Sequence, residues 1–330
     1  MRQTLQNQQR LCGVTEALAD IVARHPALED IATAYALLAT AREEAAKALP
    51  RQSLLGAQPA LEPFASGQPL LTPVLEGLYV LPADVVARLH TATRVMLPAA
   101  AQAFPALAED LAKLAVRLQA QGAAPDALYG QDLAGALLSA IALGPEDGPP
   151  ARSMEELAQE LKIAPTALQI AARESFMAVL FHEATLLAGL VDQEAWRQPY
   201  CPVCGGGPDA GILKEGKEDS EFLIAKAGQL WFHCGQCAAL WRFPRLRCAG
   251  CGCEDPARME LLLAEGGQRE EQERAQLCSE CKQYCTTLNM VDRSDLVNLE
   301  MLPMALLHLD MLAQQRGYAP LAPSPWNSLG

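Results

Sequence analysis

The chemistry this chain encodes most plainly lies in eight cysteines arranged as four Cys-x-x-Cys pairs. The pairs are Cys201/Cys204, Cys234/Cys237, Cys248/Cys251 and Cys278/Cys281, with 29, 10 and 26 residues between successive pairs. Two residues between cysteines let one tight turn aim both sulfurs at a single ion, and two such turns complete a tetrahedron. Four pairs therefore predict two closed four-cysteine sites and two metal ions per chain. Iron and zinc both suit four thiolates, so the ligands alone do not choose between them. A consecutive assignment puts Cys201, Cys204, Cys234 and Cys237 on one ion and Cys248, Cys251, Cys278 and Cys281 on the other. An interleaved cross-brace satisfies the same spacings. The consecutive reading is favoured because each long gap contains a hairpin able to bring its flanking pairs together.

Turn chemistry supports the same reading. In Cys-Pro-Val-Cys-Gly, Pro202 fixes φ and Gly205 accepts the left-handed conformation that follows the second sulfur of a knuckle. A redox dithiol of the thioredoxin kind occurs once, beside a βαβ pattern, and no such pattern surrounds these four pairs. Of the other cysteines, Cys12 reads as a small buried apolar residue, while Cys253 and Cys285 are spare thiols or replacement ligands. A four-thiolate site with a divalent ion keeps two formal negative charges, which nearby donors or cations offset. Arg242, Arg245 and Arg247 lie between the second and third pairs. Their plainer role is charge compensation, and their sharper one is partner docking.

Other candidates are weaker. His182-Glu183 is not followed by a second histidine at position 186, so the His-Glu-x-x-His motif is absent and His182 reads as a core histidine. His233 adjoins Cys234 and is a candidate donor behind the metal ligands. His25, His90 and His308 have no visible partners in the sequence. The run Glu270, Glu271, Glu273 reads as a solvated loop or helix face. There is no glycine-rich phosphate loop and no nucleophile with a recognisable base, so an enzyme is not expected.

The cysteines must be positioned by elements of two kinds. From Leu11 to about Trp196 the sequence reads as helices broken by Pro and Gly, over Asp30–Leu49, Ala83–Met96, Ala106–Gln121, Ala127–Leu143, Met154–Leu161 and Pro165–Val191. Gln52–Gly77, with Pro59, Pro63, Pro69 and Pro73, reads as an irregular surface connection. Beyond Arg197 short β-like runs appear at Phe222–Ala225, Gln229–Phe232, Ala239–Phe243, Met259–Leu263 and Thr286–Val291, each beside a cysteine pair. Asp295–Gln315 returns to helical spacing. The expected class is α+β. An all-α domain over residues 1–196 precedes a module over 197–330 made of two tandem small β metal-knuckle units, zinc-ribbon-like, and a C-terminal helix.

Composition bounds the function. With 330 residues, half of them apolar and a fifth charged, the chain can bury a sizeable core. A formal net charge of −13 argues against general nucleic-acid affinity, which comes largely from Lys and Arg displacing counterions. The opening MRQTLQNQQRLCGVTEAL shows no apolar region followed by a cleavage site, and Phe176–Val191 is too short and too polar for a membrane span. A cytoplasmic protein is expected, with no membrane insertion. In that reducing setting the cysteines are not a disulfide framework.

Tyr-Cys-Pro-Val-Cys-Gly (Tyr200–Gly205), His-Cys-x-x-Cys (His233–Cys237) with Leu240-Trp241, Arg-Cys-x-x-Cys (Arg247–Cys251), Cys278–Cys281 and a C-terminal helix ending at Arg316-Gly317-Tyr318 follow a helical domain. This order resembles the formate dehydrogenase accessory protein family, FdhE, most specifically over Gln198–Tyr318. The resemblance implies two rubredoxin-like metal knuckles held by the eight paired cysteines. It also implies a cytoplasmic accessory role, binding the catalytic subunit of an exported formate dehydrogenase and supporting its maturation. Ser324-Pro325-Trp326-Asn327 departs from the family's tail. Two other classes compete. A zinc-ribbon nucleic-acid binder would use Trp231, Phe232, Trp241 and Phe243 with the three arginines, although acidic residues outnumber basic ones from Arg197 onward. A thiol- or sulfur-handling redox protein would need free thiols of low pKa.

Overall fold

The computed structural model describes residues 12–56, 61–76, 83–120, 154–214, 228–263, 272–291 and 297–328. The expected helix Ala127–Leu143 and strand Phe222–Ala225 lie outside these residues. The chain divides into two units: Asp30–Glu62 with Leu70–Leu187, and Met1–Glu29 with Pro63–Pro69 and Ala188–Gly330. Helix α1, Val14–Arg24, goes with the cysteine-bearing unit because its Arg24 pairs with Glu273 at 2.9 Å and Cys12 just before it donates to the Val297 carbonyl. Phe64 goes there too, stacked on Trp196 with ring centroids 4.9 Å apart.

The other unit is helical. Its elements are α2 Glu29–Ala48, α3 Ala83–Ala103, α4 Ala108–Ala120, α5 Met154–Leu161 and α6 Pro165–Leu187. Helix α2 is rich in Ala, Leu and Glu, good helix formers, and buries a stripe through Ala32, Tyr35, Ala36, Ala39 and Ala45. Helix α6 starts with Pro165, where a missing N–H costs nothing, and is buried on nearly all sides, as befits a central helix. Helix α3, expected over Ala83–Met96, meets Pro98, which cannot donate a backbone hydrogen bond. It runs on to Ala103, since Leu97 and Ala100 on either side of the proline are buried and α3 packs along α6.

Buried charges tie this unit together. Glu183 on α6, fully buried, accepts from Arg88 of α3, from Ser53 Oγ at 2.6 Å and from the Leu54 N–H at 3.1 Å. Arg42 and Glu174, both buried, pair at 3.2 Å. His182 is the satisfied core histidine that was expected, with Nε2 2.6 Å from the Pro50 carbonyl. The Gln52–Gly77 connection is less superficial than its prolines suggest. It contains the short helices Glu62–Ala65 and Thr72–Glu76, and Phe64, Leu70 and Leu71 are buried.

The cysteine-bearing unit is built on one mixed sheet. Its strands are β1 Pro208–Lys214, β2 Gln229–Cys234, β3 Leu240–Phe243, β4 Met259–Leu263, β5 Glu273–Cys278, β6 Gln283–Asn289 and β7 Ala319–Pro320. The order is β3-β2-β1-β6-β5-β4, with β7 on β6. Antiparallel β1-β2-β3 and β4-β5-β6 form the two cysteine units, and a parallel β1–β6 pairing from Gly211/Thr287 to Leu213/Asn289 fuses them. One sheet face, through Ala210, Ile212, Leu262, Ala275, Leu277, Tyr284 and Leu288, packs on Leu302, Leu306, Leu309 and Ala313 of the C-terminal segment. That segment is two helices, α7 Leu302–Ala305 and α8 Leu307–Gln315, with Pro303 in the first turn of α7, where it is tolerated. Glu273 is not solvated. It lies buried on β5, while Glu270 and Glu271 fall outside the described residues. Among the described residues no helix is long and apolar enough to cross a membrane.

Candidate metal centres

The four cysteine turns share one backbone design. In each, the residue after the second cysteine donates its N–H to the carbonyl of the first: Gly205 to Cys201 at 3.0 Å, Ala238 to Cys234 at 3.0 Å, Gly252 to Cys248 at 2.9 Å and Lys282 to Cys278 at 2.9 Å. Each of these four residues has positive φ, at 81°, 58°, 74° and 58°. Glycine accepts this freely at 205 and 252. Ala238 and Lys282 hold it at a cost on the order of 1 kcal/mol each, a strain the surrounding turn must sustain. The same turns point backbone N–H groups at sulfur. Val203 donates to Cys201 and Gly206 to Cys204 at 3.4 Å, Gln236 to Cys234 at 3.5 Å and Gly250 to Cys248 at 3.4 Å.

The sulfurs gather in the consecutive arrangement. Cys201 Sγ is 3.5 Å from Cys237 Sγ and Cys204 Sγ is 3.5 Å from Cys234 Sγ; Cys248–Cys281 and Cys251–Cys278 are each 3.7 Å. Within each set all four sulfurs lie within 4.8 Å of one another. A tetrahedron with metal–sulfur bonds of ~2.3 Å has edges of ~3.8 Å, so each set fits one ion. Two metal ions could be held.

Electrostatics agree. Burial opposes ionisation of Cys201, but hydrogen bonds from the other three sulfurs outweigh it and hold its pKa well below the usual thiol value. The Cys201 sulfur in turn pushes Cys204 well up, and burial with the same sulfurs pushes up Cys237. Cys278 is brought down to about 7 against its burial by the N–H groups of Cys281 and Glu280 and by neighbouring sulfurs. Sulfurs this close ionise together only around a cation. The two sets differ in exposure: the first is at most 1% exposed, whereas in the second Cys251 is exposed and Cys281 half-buried.

The chain is similar to known proteins. It is 25% identical over 127 residues to a protein from Aquifex aeolicus named FdhE homolog, covering 38% of this chain and 41% of that one. Proteins of the same name from Stutzerimonas stutzeri and Pseudomonas aeruginosa are each 29% identical, over 127 and 136 residues. The matches span about two fifths of these relatives' length. The crystal structure of the FdhE protein from Pseudomonas aeruginosa superposes with a TM-score of 0.60 at 21% identity, covering 96% of this chain and 95% of that one. The chain resembles FdhE in sequence and in fold. No family model matches it.

Relative to that FdhE fold, the remaining predicted residues separate. His233 stands behind the first sulfur set, fully buried. Its Nδ1 is 2.8 Å from Asp209 and its Nε2 3.8 Å from Glu300, and although burial opposes its charge, these carboxylates hold its pKa well above the usual value. Arg242 is tied within its own unit, with Nη1 2.6 and 2.8 Å from the Glu194 carboxylate and its N–H on Gln193. Arg247 lies beside the Gly252 turn of the second set and 3.9 Å from Glu254, consistent with charge compensation. Arg245 is exposed. Neither Cys253 nor Cys285 belongs to a sulfur set; burial pushes the Cys285 thiol well up.

Two histidines without visible partners find each other. His25 and His308 stack with centroids 4.4 Å apart, and His308 Nε2 is 3.4 Å from Glu273. With Glu273 they make a third set of possible ligands within 4.8 Å. The cation in this set is already present, because Arg24 donates to both Glu273 oxygens, at 2.9 and 3.2 Å. Single histidines some 280 residues apart carry no spacing signal, so only the fold reveals them.

Proposed function

We propose that this chain is an accessory protein that binds the catalytic subunit of a formate dehydrogenase in the cytoplasm and supports its assembly, with two structural or redox ions, iron or zinc, held by the eight paired cysteines. One observation carries the reading: two closed four-sulfur sets on a fold that matches FdhE along nearly the whole chain. A closed set has no open position for substrate or activated water, which favours a holding role over turnover. On this reading the sulfur sets act through structure. Metal binding supplies folding free energy to the four turns and so rigidifies the sheet that presents the client-binding surface. Arg245 is the strongest charged anchor of the three predicted arginines, since Arg242 and Arg247 are engaged within the chain.

The test is co-purification of the catalytic subunit with the metal-loaded protein from cells that express both. The expected result is a complex that survives Arg242→Ala and is lost when Cys204 and Cys278 are both replaced by Ser. No complex under anaerobic conditions, with two ions bound, would overturn the reading.

A further inference from the structure

Among the described residues, the second cysteine unit pairs its charges unevenly. Its acidic side chains are engaged, Glu254 with Arg247 at 3.9 Å, Glu280 with Arg258 at 3.8 Å and Glu260 with Arg316 at 3.0 Å. Asp255 accepts the Ala257 N–H. Among the described residues, no acidic side chain pairs with Arg245 or Arg274. Arg274 Nε is buried with no partner. Burial, and then the positive charge of Arg245, lower the Arg274 pKa.

Arg274 stands on β5, one strand in from a sheet edge, and Arg245 is close enough for its charge to act on it. Strand β4 ends the sheet order, so among the described residues nothing pairs with its outer side. Leu262 points into the core at 3% exposure, whereas Leu261 and Leu263 stand out at 52% and 43%. Register places Leu263 opposite Arg274, and Arg274 opposite Thr287, on one face of the sheet; Leu261 is opposite Gln276 on that face. Thr287 is fully buried there and its hydroxyl bonds nothing. An open edge with alternate outward leucines accepts an added strand through main-chain hydrogen bonds. Guanidinium groups that no acidic side chain pairs with among the described residues select carboxylates, which they bind bidentately.

We propose that β4 is the docking edge for an extended acidic segment of a partner polypeptide, added as a strand, with its carboxylates on Arg245 and Arg274 and its apolar side chains on Leu261 and Leu263. A second copy of this chain is a poorer occupant, because edge-to-edge pairing would face these arginines with their own kind. The proposal deepens the accessory reading above by naming the surface and the chemistry of the client segment.

The test uses the full metal-loaded chain and a labelled nine-residue peptide of alternating Asp and Val, with a Lys/Val peptide as control. Fluorescence anisotropy should show binding of the acidic peptide alone, weakened roughly tenfold or more in Arg245→Gln/Arg274→Gln, the loss expected for charge-assisted hydrogen bonds. Hydrogen exchange on the wild-type protein should show new amide protection over residues 259–263 when the acidic peptide is added. Equal binding by the double variant, equal binding of the lysine peptide, protection elsewhere, or concentration-dependent protection of 259–263 without peptide would each overturn the docking edge. The two readings fail separately. A complex with the catalytic subunit that is indifferent to both arginines removes the docking edge and leaves the accessory role. Peptide docking without any subunit complex does the reverse.

Discussion

His308 makes the cysteine-bearing unit sensitive to acid, and the size of the effect follows from its surroundings. Its side chain is 17% exposed, stacked on His25, and near Arg24. Burial first, then the charges of His25 and Arg24, lower its pKa from 6.5 to about 4. At ~1.4 kcal/mol per pH unit of displacement, this corresponds to roughly 3 kcal/mol of stability. Between pH 6.5 and about 4 the unfolded chain holds more protons at this position than the folded one. The contribution is therefore complete above pH 6.5 and lost as pH falls through that window. Asp310, raised by burial to about 7, acts in the opposite direction, and the thiolates also take up protons. Comparing the wild type with His308→Asn cancels both. Urea denaturation of the two metal-loaded proteins from pH 7.5 to 4.5 should show the wild type losing more stability than the variant, by a difference approaching 3 kcal/mol. Parallel pH curves would refute the assignment of this proton to His308.

Anaerobically purified protein should carry two ions by elemental analysis, and Cys204→Ser and Cys278→Ser should each lose one. A coloured chelator should strip the set of Cys248, Cys251, Cys278 and Cys281 first, because Cys251 is exposed while the other set is closed to solvent. Glu183→Ala leaves buried Arg88 without its carboxylate and should cost about 3–5 kcal/mol in thermal or urea unfolding, with metal content unchanged. We propose that residues 1–195 form a helical, metal-free fragment by circular dichroism. Proteolysis should trim it within 14–29, since Arg24 and Ile21 lose the partners they have in the cysteine-bearing unit.

Much of this protein is local chemistry and therefore legible in sequence. A two-residue spacing confines a pair of sulfurs to one turn whatever the rest of the fold, so the eight cysteines and their four turns could be read directly, whereas the choice of the consecutive grouping over an interleaved one is made by the folded sheet. Helices α2, α5 and α6 were equally plain, because Ala, Leu and Glu at helical spacing determine both a conformation and a buried stripe. Strands β1 and β5 were missed for a local reason too: Pro208 and Gly211 interrupt the apolar pattern of β1, and β5 opens at Glu273, which reads with Glu270 and Glu271 as a solvated run.

Tertiary structure decided what depends on residues far apart in the chain. The parallel β1–β6 pairing that fuses two tandem units into one sheet joins segments more than 70 residues apart and leaves no periodic trace. The attachment of α1 rests on Arg24 reaching Glu273, 249 positions away. The different fates of Arg242, Arg245 and Arg247, identical in type and almost adjacent, depend on which carboxylates the fold brings to each. Sequence determines which groups can carry charge or bind metal; whether a charge is paired, buried or left open to a partner is a property of distance, and only the folded chain sets distance.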